Sequence, residues 1–84
     1  MTWKMTNNYP DVVELRFFDR TANLVWPDNV NVYVQNPGSV VNYPLGCTLG
    51  NKICYGAADR GGKGYWGVDI DNSQGCASCC ATCD

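Results

Sequence analysis

Four of the six cysteines crowd into the last nine residues, as Cys76-Ala-Ser-Cys79-Cys80-Ala-Thr-Cys83, with Cys47 and Cys54 upstream. No other feature limits the fold so strongly. A chain of 84 residues buries too small a fraction of its surface to be held comfortably by apolar burial alone, and covalent cross-links are the usual remedy. An even number of cysteines in so short a chain reads first as a disulfide framework. It therefore points to an oxidising compartment, secreted or extracellular. A bridge between the neighbours Cys79 and Cys80 would force a strained ring. The remaining pairings fall into two kinds: Cys47 and Cys54 pair across their own turn, or both reach the C-terminal cluster. At least one long-range bridge is expected, because the tail after Gly75 has few apolar residues to anchor it. Each bridge is worth roughly 2–4 kcal/mol, comparable with the net stability of so small a domain.

The rival reading of the cysteines is a metal centre. Cys76-x2-Cys79 and Cys80-x2-Cys83 each have zinc-knuckle spacing, and Cys47 and Cys54 would complete four thiolates. Six ligands suit one zinc poorly, no histidine is present, and interleaved CxxCCxxC is not a standard pair of knuckles. Disulfides are preferred, and no metal ligand or cofactor is assigned. No βαβ pattern surrounds the CxxC motifs, which counts against a redox role. Asp69 to Gly75 begins like a calcium loop, but Gln74 stands where glycine is needed and no glutamate closes it. An Asx-type turn accounts for the same residues.

The rest of the chain reads as strands and turns. Nine glycines, four prolines and nine asparagines punctuate it, and Glu14 is the only glutamate. Val12 to Phe18 alternates, with Val13, Leu15 and Phe17 on one face and Glu14 and Arg16 on the other. Val30 to Gln35 repeats the pattern, which predicts Val30, Val32 and Val34 inward and Asn31, Tyr33 and Gln35 outward. Asn36-Pro37-Gly38-Ser39 specifies a type II turn, and Val40 to Leu45 returns as a strand ending near Pro44. A hairpin is expected from Tyr43 through Leu49-Gly50-Asn51 to Ala57. Tyr65 to Asp71 reads as the last clear strand, with Trp66, Val68 and Ile70 on one face. Trp3 and Met5 suggest a short N-terminal strand, and a helical turn is confined to Cys76–Cys83. No internal repeat or low-complexity segment is visible. The expectation is one all-β domain over residues 1–84, a small antiparallel β-sandwich or partly open barrel stapled by disulfides, with Trp66 among the core residues.

The run Gly46-Cys47, Gly50-Asn51-Lys52-Ile53-Cys54-Tyr55-Gly56-Ala57, Tyr65-Trp66-Gly67-Val68 and Gly75-Cys76…Cys79-Cys80…Cys83, preceded by Val25-Trp26-Pro27, resembles a group of small, secreted, cysteine-rich bacterial proteins of unassigned function. The likeness spans Val12 to Cys83. It implies export, disulfides and a small β fold, and it transfers no catalytic residue. The chain departs from that pattern in lacking a signal peptide and in stopping one residue after Cys83, which predicts a sheet without the closing strand of longer relatives.

Composition also narrows function. A net charge of -2 with scattered Lys and Arg offers no basic stripe for a nucleic acid. No apolar run is long enough for a membrane span. Without histidine no Ser-His or Cys-His pair can form, and the nearest carboxylate pair, Asp69 and Asp71, reads as a solvated strand face. The chain is read as non-catalytic. Two functions compete. One is a structural or assembly subunit, or an interaction domain, of an extracellular object such as a fibre, envelope or virion, its partner being itself or another extracellular protein. The other is a small carbohydrate-binding module using the surface aromatics Trp26, Tyr33 and Tyr65. The first is favoured, because polar strand faces and an unfinished sheet edge suit contact with another chain.

Overall fold

The computed structural model describes all 84 residues, as eight strands and one 3-10 turn at Ala77–Cys79. The strands are β1 (Thr2–Thr6), β2 (Val13–Asp19), β3 (Leu24–Trp26), β4 (Tyr33–Gln35), β5 (Val40–Pro44), β6 (Lys52–Asp59), β7 (Tyr65–Gly67) and β8 (Cys80–Thr82). The protein is all-β, with two antiparallel sheets that do not close into a barrel. β1 and β5 form the small sheet. In the large sheet β2 and β6 pair over their whole central length, β3 and β4 lie along the outer side of β2, and β7 and β8 along the outer side of β6.

The main core lies between the sheets. Alternation along β2 turns Leu15 and Phe17 to this side, opposite Ala57 and Tyr55 of β6, and the small sheet supplies Tyr43. Phe17 and Ile53 are fully buried, each worth roughly 1.5–3 kcal/mol in area removed from water. Trp3 packs its ring on Phe17 and Tyr55, at centroid distances of 5.5 and 6.0 Å. Its indole N–H has no hydrogen-bond partner, so Trp3 serves the core through area and ring contact alone. On the other face of the large sheet, Phe18, Cys54 and Val68 form a second, smaller cluster.

Three bridges pair all six cysteines: Cys47–Cys83, Cys54–Cys80 and Cys76–Cys79. Both upstream cysteines therefore reach the C-terminal cluster, and the tail is held by the two long-range bridges.

Several local expectations are corrected. Val30 and Val34 are 85% and 50% exposed, Val32 is half-buried, and Gln35 is buried. The register sets Tyr33 opposite Leu15 and Gln35 opposite Val13, so Tyr33 and Gln35 face the core. The reason is the chain's crossing to the small sheet just after β4. Gln35 Nε2 donates to the Met5 and Ser39 carbonyls, and its Oε1 accepts from the Tyr43 hydroxyl. These bonds satisfy backbone groups at the junction of two sheets, which a valine would leave bare. β5 and β6 are not a hairpin, because β5 pairs with β1 and β6 with β2. The last strand stops at Gly67, whose φ of 68° turns the chain. Val68 then drops into the second cluster, while Ile70 lies in the loop that follows. Trp66 is half-buried at the margin of the core. The type II turn forms as expected, with Gly38 at φ 78° and Ser39 N–H donating to the Asn36 carbonyl.

The strand pairing brings out an internal repeat. Each half runs through the same series: a strand of the small sheet, a long central strand, and two short outer strands. Phe17 pairs with Trp26 as Ala57 pairs with Trp66, an offset of forty residues in both strands. The midpoint of the β2–β6 pair, Arg16 opposite Gly56, obeys the same offset. Asp19-Arg20 and Asp59-Arg60 open the two hairpin turns, each followed by its tryptophan at the same spacing. The large sheet thus has an approximate two-fold axis through Arg16 and Gly56.

Candidate interaction site

A cleft of about 360 Å³ opens on the core face of the large sheet. Its floor is Val13 and Leu15 of β2, Tyr55 and Ala57 of β6, and Trp66 of β7. Its wall is the end of β1 and the residues after it, from Met5 to Tyr9. β5 contributes nothing to it. The cleft lies where the two-stranded small sheet fails to cover the larger one.

Buried hydrogen bonds hold the rim. Asn7 Nδ2 donates to the carbonyls of Asp11 and Gln35, and its Oδ1 accepts from the Tyr9 amide. Tyr9 meets Trp66 edge-to-face at 4.9 Å, a geometry that aromatic quadrupoles favour. The Tyr9 hydroxyl reaches Asp59 Oδ2 at 3.4 Å, and Asp59 Oδ1 accepts from the Lys63 and Gly64 amides. The Gly64 amide leads the bonds that hold the Asp59 carboxyl below the usual aspartate range. Burial, aided by the Asp59 charge, raises the Tyr9 phenol. Asn7 and Gln35 commit all their side-chain N–H donors to protein carbonyls; the floor is apolar, and the exposed rim adds the polar side chains of Thr6 and Asn8.

One wall is also a free strand edge. Met1 and Leu45 exchange hydrogen bonds, and Asn7 donates to the Ser39 carbonyl. Antiparallel alternation therefore directs Trp3 and Met5 toward β5, and turns the amides and carbonyls of Thr2, Lys4 and Thr6 outward. The outer edge of β5 differs: Pro44 stands opposite Thr2 and has no N–H to offer. Of the two outer edges of the small sheet, β1's keeps all its donors.

The aromatics singled out in the sequence do not share a surface. Tyr33 packs against Phe17 and Tyr43, with centroids 6.1 and 4.7 Å away. Trp26 is half-buried against the main core. Tyr65 is 52% exposed, but pairs with Ala58 and so belongs to the opposite face of the sheet. The aromatic residues that line the cleft are Tyr9, Tyr55 and Trp66, and the Asp-Arg…Trp repeat is the signal that could have marked Trp66 as special. Asp69 and Asp71 are turn residues, accepting from the Ile70 and Ser73 amides, and no group of three or more acidic, cysteine or histidine side chains is placed to hold a metal ion. No helix is long and apolar enough to cross a membrane. Compared with models of known families, with curated proteins and with solved structures, the chain matches none.

Proposed function

We propose that this protein is a non-catalytic, extracellular interaction domain that receives an extended segment of another protein along β1. The observation that carries this reading is the unblocked outer edge of β1 beside a cleft whose floor shows Val13, Tyr55 and Trp66 partly exposed, with Leu15 and Ala57 buried beneath. An added strand would take hydrogen bonds from Thr2, Lys4 and Thr6 and lay alternate side chains over the cleft, the usual mode of β-augmentation. Three disulfides in so small a domain support a place outside the reducing cytosol. Pairing of two β1 edges from identical chains is disfavoured, because each carries an exposed Lys4 mid-strand, and edge lysines act against self-association.

The test is selection of random linear peptides on the folded protein, followed by amide hydrogen exchange on the complex. Bound peptides are expected to protect Thr2, Lys4 and Thr6, and to lose that protection with Lys4→Pro, which deletes an outward donor while leaving the β1–β5 ladder intact. Peptides that bind without protecting these amides would overturn the reading. A reproducible glycan-array signal with no selectable peptide would replace it by the sugar-binding alternative.

A further inference from the structure

Resting on that reading, we infer that the cleft seats an aromatic side chain of the incoming segment, next in sequence to an acidic residue that meets Lys4. The internal repeat supplies the argument. In the first half, Trp26 stands opposite Phe17, and Phe17 packs on Tyr43 of β5 with ring centroids 5.3 Å apart. At the matching place in the second half, Trp66 stands opposite Ala57, and the small-sheet residue lining the space is Met5. A methyl group and a thioether stand here where the rings of Phe17 and Tyr43 stand beside Trp26's strand. The cleft is the seat that Phe17 fills in one half and that Ala57 leaves open in the other, with the tryptophan retained beside it.

Tyr9 covers Trp66 from the rim; a ring for the space beside Ala57 comes from outside the fold, and an extended strand on β1 is placed to bring it. Met5 points inward to the cleft while its neighbour Lys4 is exposed on the outer face. A strand paired with β1 therefore sets one residue opposite Met5, over the cleft, and the adjacent residue opposite Lys4. Lys4 takes part in no ion pair, the one salt bridge being Arg60 with Glu14, so it is free for a carboxylate. A sugar fits this floor poorly, because the side-chain N–H donors of Asn7 and Gln35 are all committed to protein carbonyls and the floor itself is apolar. Tyr55 and Trp66 instead present ring faces and edges to another ring.

The experiment is an NMR titration of methyl-labelled protein with N-acetyl-phenylalanine methylamide, N-acetyl-leucine methylamide and methyl glucoside. Saturable shifts of the Met5 and Ala57 methyls are expected with the phenylalanine probe, about fivefold tighter than with leucine. Ala57→Phe, which rebuilds the first half's packing, is expected to keep the fold and abolish those shifts. Ala57→Leu serves as the smaller filling if the phenylalanine variant does not fold. Absence of the shifts in the natural protein, their persistence in a folded filled variant, or a response to glucoside alone overturns the inference. Its failure is separable from that of strand addition. Peptides that protect the β1 amides with no aromatic preference would refute the aromatic seat only. Ring binding with no amide protection would refute the strand and leave a pocket for a small aromatic ligand.

Discussion

Residues 27–32 interrupt the outer strand of the first half, between β3 and β4, and residues 68–79 interrupt that of the second, between β7 and β8. The shorter interruption is closed by polar groups. Asp28 Oδ1 accepts from the Val30 and Asn31 amides and Oδ2 from the Asn31 side chain, and Arg16 donates to the carbonyls of Asn29 and Asn31. The longer one sinks Val68 against Phe18 and Cys54. It is held by sulfur, through Cys76–Cys79 within it and Cys54–Cys80 at its end, together with Arg20, which donates to Asn72 Oδ1 and the Gln74 carbonyl. A short loop loses little entropy on closing and a single Asx turn suffices, whereas a long one needs cross-links or burial. The same contrast governs the axis between the halves. Two large side chains cannot share one place, so Arg16 spans the sheet, reaching also the Ile70 carbonyl, and Gly56 opposite makes room for the backbone of Asp69.

The largest expected effect tests that division of space. A β-carbon at Gly56 would overlap the Asp69 carbonyl, which is backbone and cannot swing aside. Gly56→Ala should therefore lose about 4 kcal/mol or more, or yield no folded protein. Arg16→Ala removes hydrogen bonds from a partly exposed residue and should lose about 1–3 kcal/mol. Urea denaturation of the two variants decides it, and equal losses would mean that the axis is not crowded as described.

Next come the cross-links. Cys47–Cys83 and Cys54–Cys80 close separations of 36 and 26 residues, Cys76–Cys79 only 3. Chain entropy ranks paired cysteine-to-alanine changes at about 3.5–4 kcal/mol for the first two and about 1.5 kcal/mol for the third. Calorimetry of the three double variants checks this ranking. Hydrogen exchange should show the third loosening residues 68–79 with the first half unaffected.

The smallest effect concerns the point where the halves agree most closely. Asp19 and Asp59 are both buried and both accept from turn amides. The Asn51 side-chain amide, ahead of the turn amides, lowers the Asp19 carboxyl, and the Gly64 amide leads for Asp59. A carboxyl lowered by folding stabilises the fold at pH values above the unfolded aspartate's, near 4, and that contribution fades as pH falls through the folded value. Melting temperature should therefore drop below about pH 4, and Asp19→Asn or Asp59→Asn should each flatten that drop. An unchanged acid limb in one variant alone would show that the two turns are not equivalent.

Much of the fold was legible because its signals are local. Alternation along β2 put Leu15 and Phe17 in the core, Pro37-Gly38 made its turn, and cysteine density announced the cross-links. Alternation reports which residues share a face, but which face is covered depends on the other sheet. Val30, Val34 and Gln35 were misread on that account. The site was less legible still. Tyr9 is far in the chain from Tyr55 and Trp66 and joins them only through its contacts with Trp66 and Asp59, while the β6–β7 register brings Tyr55 and Trp66 to one floor.

By itself, then, the sequence determined an all-β domain whose six cysteines pair with one another and whose turns lie at Gly and Pro, because turn geometry, strand period and cysteine number act over a few residues. Tertiary structure alone decided that Cys47 meets Cys83 and Cys54 meets Cys80, that β1 and β5 leave the large sheet, and that two dissimilar halves share one axis. Those outcomes rest on how sheets stack and strands find their register, and the packing energies responsible belong to pairs of distant residues. The open seat beside Trp66 is of this kind: Ala57 is an ordinary small strand residue until it is set against Phe17, the ring that fills the same place across the axis.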